Sequence, residues 1–261
     1  MELISYKSFE NGTVYALRTS EGNLIETTDT FLPYYTKDAI GRKQNRLDNT
    51  SLGSRSERWM VGVSCMHGCP VRCGFCQTGA FKTCKNLTTK EVVDQFMFVL
   101  AQNAGISCKN SREFKINYTR MGEPFLNIDA IKGAINHISQ LVPDTHHFVS
   151  TIGIRDSDFS WITGNTTLQI SLHSLDESRR NELIPFHNKM TIKELGQIRT
   201  RSNLKTTVNL TLVDKKDFNI SKLKEYFDPE YFFIKLSPIN INKISVDNAL
   251  GNGIITGINL I

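Results

Sequence analysis

The stretch WMVGVSCMHGCPVRCGFCQTG, residues 59–79, decides how the chain folds and what it holds. Its first six residues, WMVGVS, read as a strand buried on both faces, ended by a loop too polar and glycine-rich to continue it. Three cysteines in that loop, Cys69, Cys73 and Cys76, are spaced C-x3-C-x2-C. Thiolates at this spacing can wrap one corner of an iron–sulfur cubane and ligate three of its four irons. The fourth iron would be left open to a small chelating molecule carrying an amine and a carboxylate. Gly74 and Gly79 let the backbone turn tightly, and Phe75 would shield a cluster from water. Structural zinc is a second reading, with Cys65, His67 or Cys84 as the fourth ligand that a closed site needs. Buried, inert thiols are a third.

Outward from this loop the pattern alternates. Upstream, TVYALRT (13–19) and NLIETTDTFL (23–32) flank the turn SEGN and predict a β-hairpin; residues 33–57 read as a long polar loop. Downstream, Thr88 and Glu91 form a capping-box pair that opens a helix running to about residue 103. FKINYT (114–119), HFVST (147–151), LQISLH (168–173), TTVNLTLV (206–213) and FFIKLSPI (232–239) read as further strands. Helices are expected between them at about 127–141, 191–201 and 219–227. Strand–helix alternation implies a parallel sheet with crossover helices. The expected fold is α/β: a partial (β/α)6 TIM-like barrel over residues 58–261, preceded by a short N-terminal β-hairpin and linker over 1–57. In such barrels function gathers at the C-terminal ends of the strands. The cysteine loop, MGEP (121–124), Ser150, His173 and Asn240 all fall there.

The composition is that of an ordinary globular chain, 39% hydrophobic and 22% charged. No apolar run is long enough to span a membrane, and the N-terminus MELISYKSFENG has neither the basic start nor the apolar core of a secretory signal. All six cysteines lie between Cys65 and Cys108, which suits metal or cluster ligation in a reducing compartment better than a disulfide scaffold. The cytoplasm is therefore the expected location. Net charge is +5, with a basic local run at Arg42, Lys43, Arg46, Arg55 and Arg58. That run reads either as a solvated loop or as a phosphate-contacting arm.

The C-x3-C-x-Phe-C loop resembles the signature of the radical S-adenosylmethionine (SAM) superfamily. The wider text resembles one branch, the RlmN/Cfr-type enzymes that methylate adenine in ribosomal or transfer RNA. The matching pieces run in order from LIETTDTFLP through the cysteine loop, NLTTKEVVDQ, MGEPFLN, VSTIG, ISLHS and RRNELIPFHNKMTIKEL to KLSPIN, over roughly residues 13–240. The resemblance implies a [4Fe-4S] cluster on Cys69, Cys73 and Cys76. It implies SAM contacts at Gly122, Glu123, Ser150, Ser171, Leu172, His173 and Asn240, with Glu123 facing the methionine ammonium. It makes Glu26 a base during methyl transfer. It further implies reductive cleavage of SAM to a 5′-deoxyadenosyl radical, an electron donor such as flavodoxin or ferredoxin, a monomer, and RNA or a nucleotide-bearing molecule as substrate.

Two departures bear on the reaction. The family uses a cysteine seven residues before the first cluster ligand, where this chain has Gly62. It uses another near its C-terminus to carry the methyl group, and no cysteine follows Cys108 in these 261 residues. A methyl carrier must be a nucleophilic sulfur, which glycine cannot replace. The expectation is therefore a radical SAM enzyme of unassigned substrate. RNA adenine methylation, and a non-catalytic cluster or zinc module that binds nucleic acid, stand as alternatives. The family's leading helical RNA-binding segment and last helix are missing from these 261 residues, which fits either a divergent or a truncated chain.

Overall fold

The computed structural model describes residues 1–35, 51–214 and 217–250. Nine strands form one sheet in the order of the chain: β1 (Glu2–Phe9), β2 (Gly12–Arg18), β3 (Leu24–Leu32), β4 (Arg58–Val63), β5 (Glu113–Tyr118), β6 (His146–Thr151), β7 (Thr166–Ser171), β8 (Thr206–Thr211) and β9 (Phe232–Ser237). The strands β4 to β9 are the six expected from the sequence, and each pairs in parallel with the next. Parallel pairing needs a crossover, supplied for the first two by α1 (Thr89–Gln102) and α2 (Ile128–Leu141). Shorter helices α3 (Glu177–Leu183), α4 (Ile192–Gly196), α5 (Ile220–Tyr226) and α6 (Lys243–Asp247) follow. Among the described residues no helix is long and apolar enough to cross a membrane.

Two sequence expectations change in the folded chain. The N-terminal hairpin is a three-stranded antiparallel meander, because ELISYKSF also pairs, along β2. All eight residues of β1 are exposed, so its sequence carries no one-sided burial pattern to mark it. The meander is continuous with the main sheet: β3 runs antiparallel to β4, placing Thr28 opposite Gly62. The helix expected over 191–201 shrinks to the five residues of α4, while α3 was not expected at all.

Strand parity sorts the sheet into two faces. Val61, Val63, Ile116, Val149, Ile170, Val208 and Leu210 are buried in one apolar core with Val92, Phe96 and Val99 of α1 and Ile131, Ala134 and Ile138 of α2. Burying each such side chain contributes about 1.5–3 kcal/mol, and this core holds the helices on the sheet. The opposite face carries polar, mostly half-buried residues: Glu26, Asn117, Ser150, Gln169, Ser171 and Asn209. Capping boxes fix the starts of α1, at Thr88 with Glu91, and of α4, at Thr191 with Glu194.

Arg55 and Arg58 follow neither reading of the basic run. Arg55 clamps Asp29 at 2.7 Å, and that carboxylate also accepts from Trp59 Nε1 and Asn103 Nδ2. Arg58 pairs with Glu113 at the start of β5. Both arginines lie at the N-terminal ends of the parallel strands, away from the cysteine loop. Arg42, Lys43 and Arg46 lie outside the described residues.

Candidate active site

The cysteine loop leaves the C-terminal end of β4 and is clamped at its root. Gln95 of α1 accepts from the Ser64 N–H (2.8 Å) and donates to the Ser64 carbonyl (2.9 Å), while its Oε1 also accepts from Thr27 Oγ1. Asn127 donates to the carbonyls of Cys65 and Leu87, both at 2.8 Å. Farther along, the Gly74 N–H donates to the Leu183 carbonyl of α3. Asn242 and Asn248 donate to the carbonyls of Phe75 and Gly74 at 2.9 and 2.6 Å. The loop is thus tied to α1, α3 and the segment after β9. None of these amides stands out in sequence, because each acts through backbone carbonyls far along the chain.

Cys76 acts on the thiols of both Cys69 and Cys73, Cys69 acts on Cys73, and Glu123 acts on both Cys69 and Cys73. Burial pushes the Cys69 thiol up to about 12 and the Cys73 thiol well above its ordinary value. Three half-buried cysteines gathered on one loop are a soft sulfur donor set of the kind that holds an iron–sulfur cluster. Two of the three candidates for a fourth ligand are otherwise engaged; the third, Cys84, is exposed and acts on the Cys69 thiol. Cys65 is buried and its Sγ donates to the Met121 carbonyl at 3.3 Å. His67 Nδ1 bonds the Leu24 carbonyl at 2.7 Å. Among the described residues no three Cys, His, Asp or Glu side chains close tightly enough for a single ion.

Gly122 and Glu123 follow β5 on the same rim. Gly122 has φ +101°, and a Cβ there would stand 2.6 Å from Met66 and 2.7 Å from Cys65 Sγ, so only glycine fits. Glu123 is 3% exposed. Its oxygens accept from the Phe125 N–H (3.1 Å) and the Ile152 N–H (3.0 Å). Burial still raises it to about 7, since the two amides do not fully replace water. A buried carboxylate held by neutral donors is complementary to an ammonium group, and this is the second feature that fits SAM.

The remaining expected contacts are more mixed. Ser150 donates to Gln169 across the β6–β7 pair at 3.0 Å, on the polar face. Ser171 lies in register with Asn209, whose buried Oδ1 has no hydrogen-bond partner among the described residues. The strand expected over LQISLH stops short, because β7 ends at Ser171 and His173 has φ +64°. Leu172 sends its side chain into the core, so only its backbone can face a ligand. His173 reaches the site by its ring, which packs edge-on against Phe75 of the cysteine loop at 4.7 Å. Its Nδ1 accepts from the Thr211 N–H at 3.2 Å, and burial, with Arg180, pulls it down to about 3. The imidazole is therefore neutral and carries its proton on Nε2. Asn240 is exposed, and its carbonyl accepts from Asn242.

Glu26 sits beside the loop root, its backbone N–H and carbonyl both bonded to Ser64 Oγ. Its carboxylate is paired with Arg120, a residue the sequence reading passed over. Arg120 follows β5, donates from its backbone to the Val63 carbonyl, and folds over Gly62. A Cβ at Gly62 would stand 2.9 Å from Arg120 Cδ and 2.3 Å from Thr28 Oγ1. The place where the resemblance expects a cysteine is thus occupied by a cation.

An open parallel sheet with a three-cysteine loop after its first parallel strand and a buried Gly-Glu beside it defines a radical SAM core. No protein-family model matches the chain. It is 33% identical over 190 residues to the probable dual-specificity RNA methyltransferase RlmN of Koribacter versatilis, covering 71% of this chain and 52% of that protein. It is 28% identical over 252 residues to the protein of the same name from Heliobacterium modesticaldum, covering 92% and 59%. The chain spans a little over half the length of these relatives. A radical SAM methyltransferase from Sphaerobacter thermophilus shares the fold, with TM-score 0.64, 22% identity, and 92% of this chain and 67% of that one covered. The chain belongs to the RlmN/Cfr-like branch of the radical SAM superfamily.

Proposed function

We propose that this chain is a radical SAM enzyme acting on RNA or a nucleotide-bearing molecule. The observation that carries this is the gathering of Cys69, Cys73 and Cys76 on one loop within electrostatic reach of the buried Glu123. When bound, a reduced [4Fe-4S] cluster supplies the electron that splits SAM into methionine and a 5′-deoxyadenosyl radical. The protein's own share is binding, orientation and exclusion of water. Cys69, Cys73 and Cys76 would hold the cluster. Glu123, fixed by two backbone amides, would take the methionine ammonium. The Gly122 backbone, Ser150, Ser171 and Asn240 would line the path of the rest of the cofactor. Neutral His173 would offer an Nε2–H donor rather than a charge, and Phe75 against its ring keeps water from the loop.

The RNA methyltransferase names of the relatives favour RNA as the substrate class, with an external donor such as flavodoxin or ferredoxin supplying electrons. At Gly62 the chain has no sulfur, and Glu26 is committed to Arg120. Both features weigh against the family's methyl-transfer route at this position. The test is spectroscopic. After anaerobic reconstitution, iron and sulfide should reach cubane stoichiometry, and adding SAM should change the electron paramagnetic resonance signal of the reduced cluster. Zinc in place of iron, or a signal indifferent to SAM, defeats the proposal. Transfer of labelled methyl from SAM to RNA would establish the methyltransferase reading instead.

A further inference from the structure

Arg180 of α3 is completely buried, one of the largest side chains in the protein without exposure. It stands one turn before Leu183, whose carbonyl anchors the cysteine loop at Gly74. Its Nη1 donates to the Met190 carbonyl and its Nη2 to the Ile152 carbonyl, both at 2.7 Å. Its Nε–H is buried and has no hydrogen-bond partner among the described residues. Carbonyls orient a guanidinium but leave its charge uncompensated, which is costly away from water. The groups whose negative charge would act on it are Glu177, already accepting from the Ile192 N–H, and Cys73 once ionised. Arg180 also borders a cavity of about 530 Å³ with Arg155, His187 and Lys189, but its Nε is buried away from solvent there.

We infer that Arg180 is a positioning residue for the iron–sulfur cluster, its spare Nε–H and charge directed to the sulfurs around Cys73 so as to set the cluster's reduction potential. Three thiolates give a cubane net negative charge, and hydrogen bonds and local charge at its sulfurs set how readily it accepts an electron. A buried cation eases reduction. The inference rests on the cluster proposed above.

The test is a redox titration of the reconstituted protein, followed by electron paramagnetic resonance, first without SAM and then with it. Without SAM, Arg180→Gln should move the midpoint to a more negative potential than wild type, and Arg180→Lys should move it less. Glu177→Gln, which removes the nearby negative charge, should move it the other way. A midpoint unchanged in Arg180→Gln overturns the inference, as does a shift seen only with SAM, which would assign the guanidinium to the cofactor's carboxylate. Should Arg180→Gln fail to fold, Glu177→Gln decides alone: a positive shift supports the inference and none overturns it. A wild-type protein that takes up no cluster defeats the proposed function itself, a distinguishable result.

Discussion

Arg120 lies across Gly62 and pairs with Glu26, so that one ion pair fills the corner of the site where the family resemblance expects a thiol and a free base. The corner is complementary within itself: a glycine admits the arginine, and the arginine occupies the carboxylate.

Restoring a side chain at Gly62 should therefore be unfavourable. Gly62→Cys is expected to lose about 1–3 kcal/mol of stability through overpacking against Arg120 and Thr28. In an Arg120→Ala background the loss should shrink, because part of the occupied space is vacated. A double-mutant cycle by urea denaturation checks this. Equal losses in both backgrounds would mean that Arg120 does not fill the space.

The cysteines should divide cleanly. Alanine at Cys69, Cys73 or Cys76 should strip iron from the reconstituted protein. Alanine at Cys65, Cys84 or Cys108 should leave most of it. Iron quantitation on the six variants is sufficient, and loss of iron in Cys65→Ala would revive a four-ligand site.

Gly122→Ala should separate cofactor binding from cluster binding. Its φ of +101° and its approach to Met66 and Cys65 leave no room for a methyl group. The backbone must shift, carrying Glu123 with it. Affinity for SAM, followed by equilibrium dialysis, should fall at least about tenfold, the equivalent of about 1.4 kcal/mol, while iron content holds. Unchanged affinity would remove Gly122-Glu123 from the cofactor site.

His147 gives a pH signature unconnected with the cluster. It is buried between Tyr118 and Ser139, and burial lowers it to about 4 from an ordinary 6.5. Below pH 6.5 the unfolded chain binds the proton more readily than the folded one, so stability falls with acidification. The contribution is complete above about pH 6.5 and is lost towards pH 4, a span of about 3 kcal/mol. His147→Gln should flatten that part of the profile of the metal-free protein; an unaltered slope would show that another group controls it.

The parallel strands were legible because WMVGVS, FKINYT and their successors are short apolar or β-branched runs set off by turns, and the cysteine loop because its spacing is chemical. What escaped reading was made by contact between distant segments. Arg120 is one arginine among many until β3 brings Glu26 to it. Arg180 lies in a polar-looking run, RRNEL, that gives no hint of complete burial. Asn242 and Asn248 clasp the cysteine loop from more than 160 residues away. The strand expected to reach His173 stops at Ser171, and His173 takes a positive φ that no strand pattern foretells.

The most direct measurement is the fate of SAM with the anaerobically reconstituted, chemically reduced protein. 5′-Deoxyadenosine and methionine should accumulate with wild type and vanish in Cys69→Ala, Cys73→Ala and Cys76→Ala. Intact SAM in the presence of a fully assembled, reducible cluster would contradict the account.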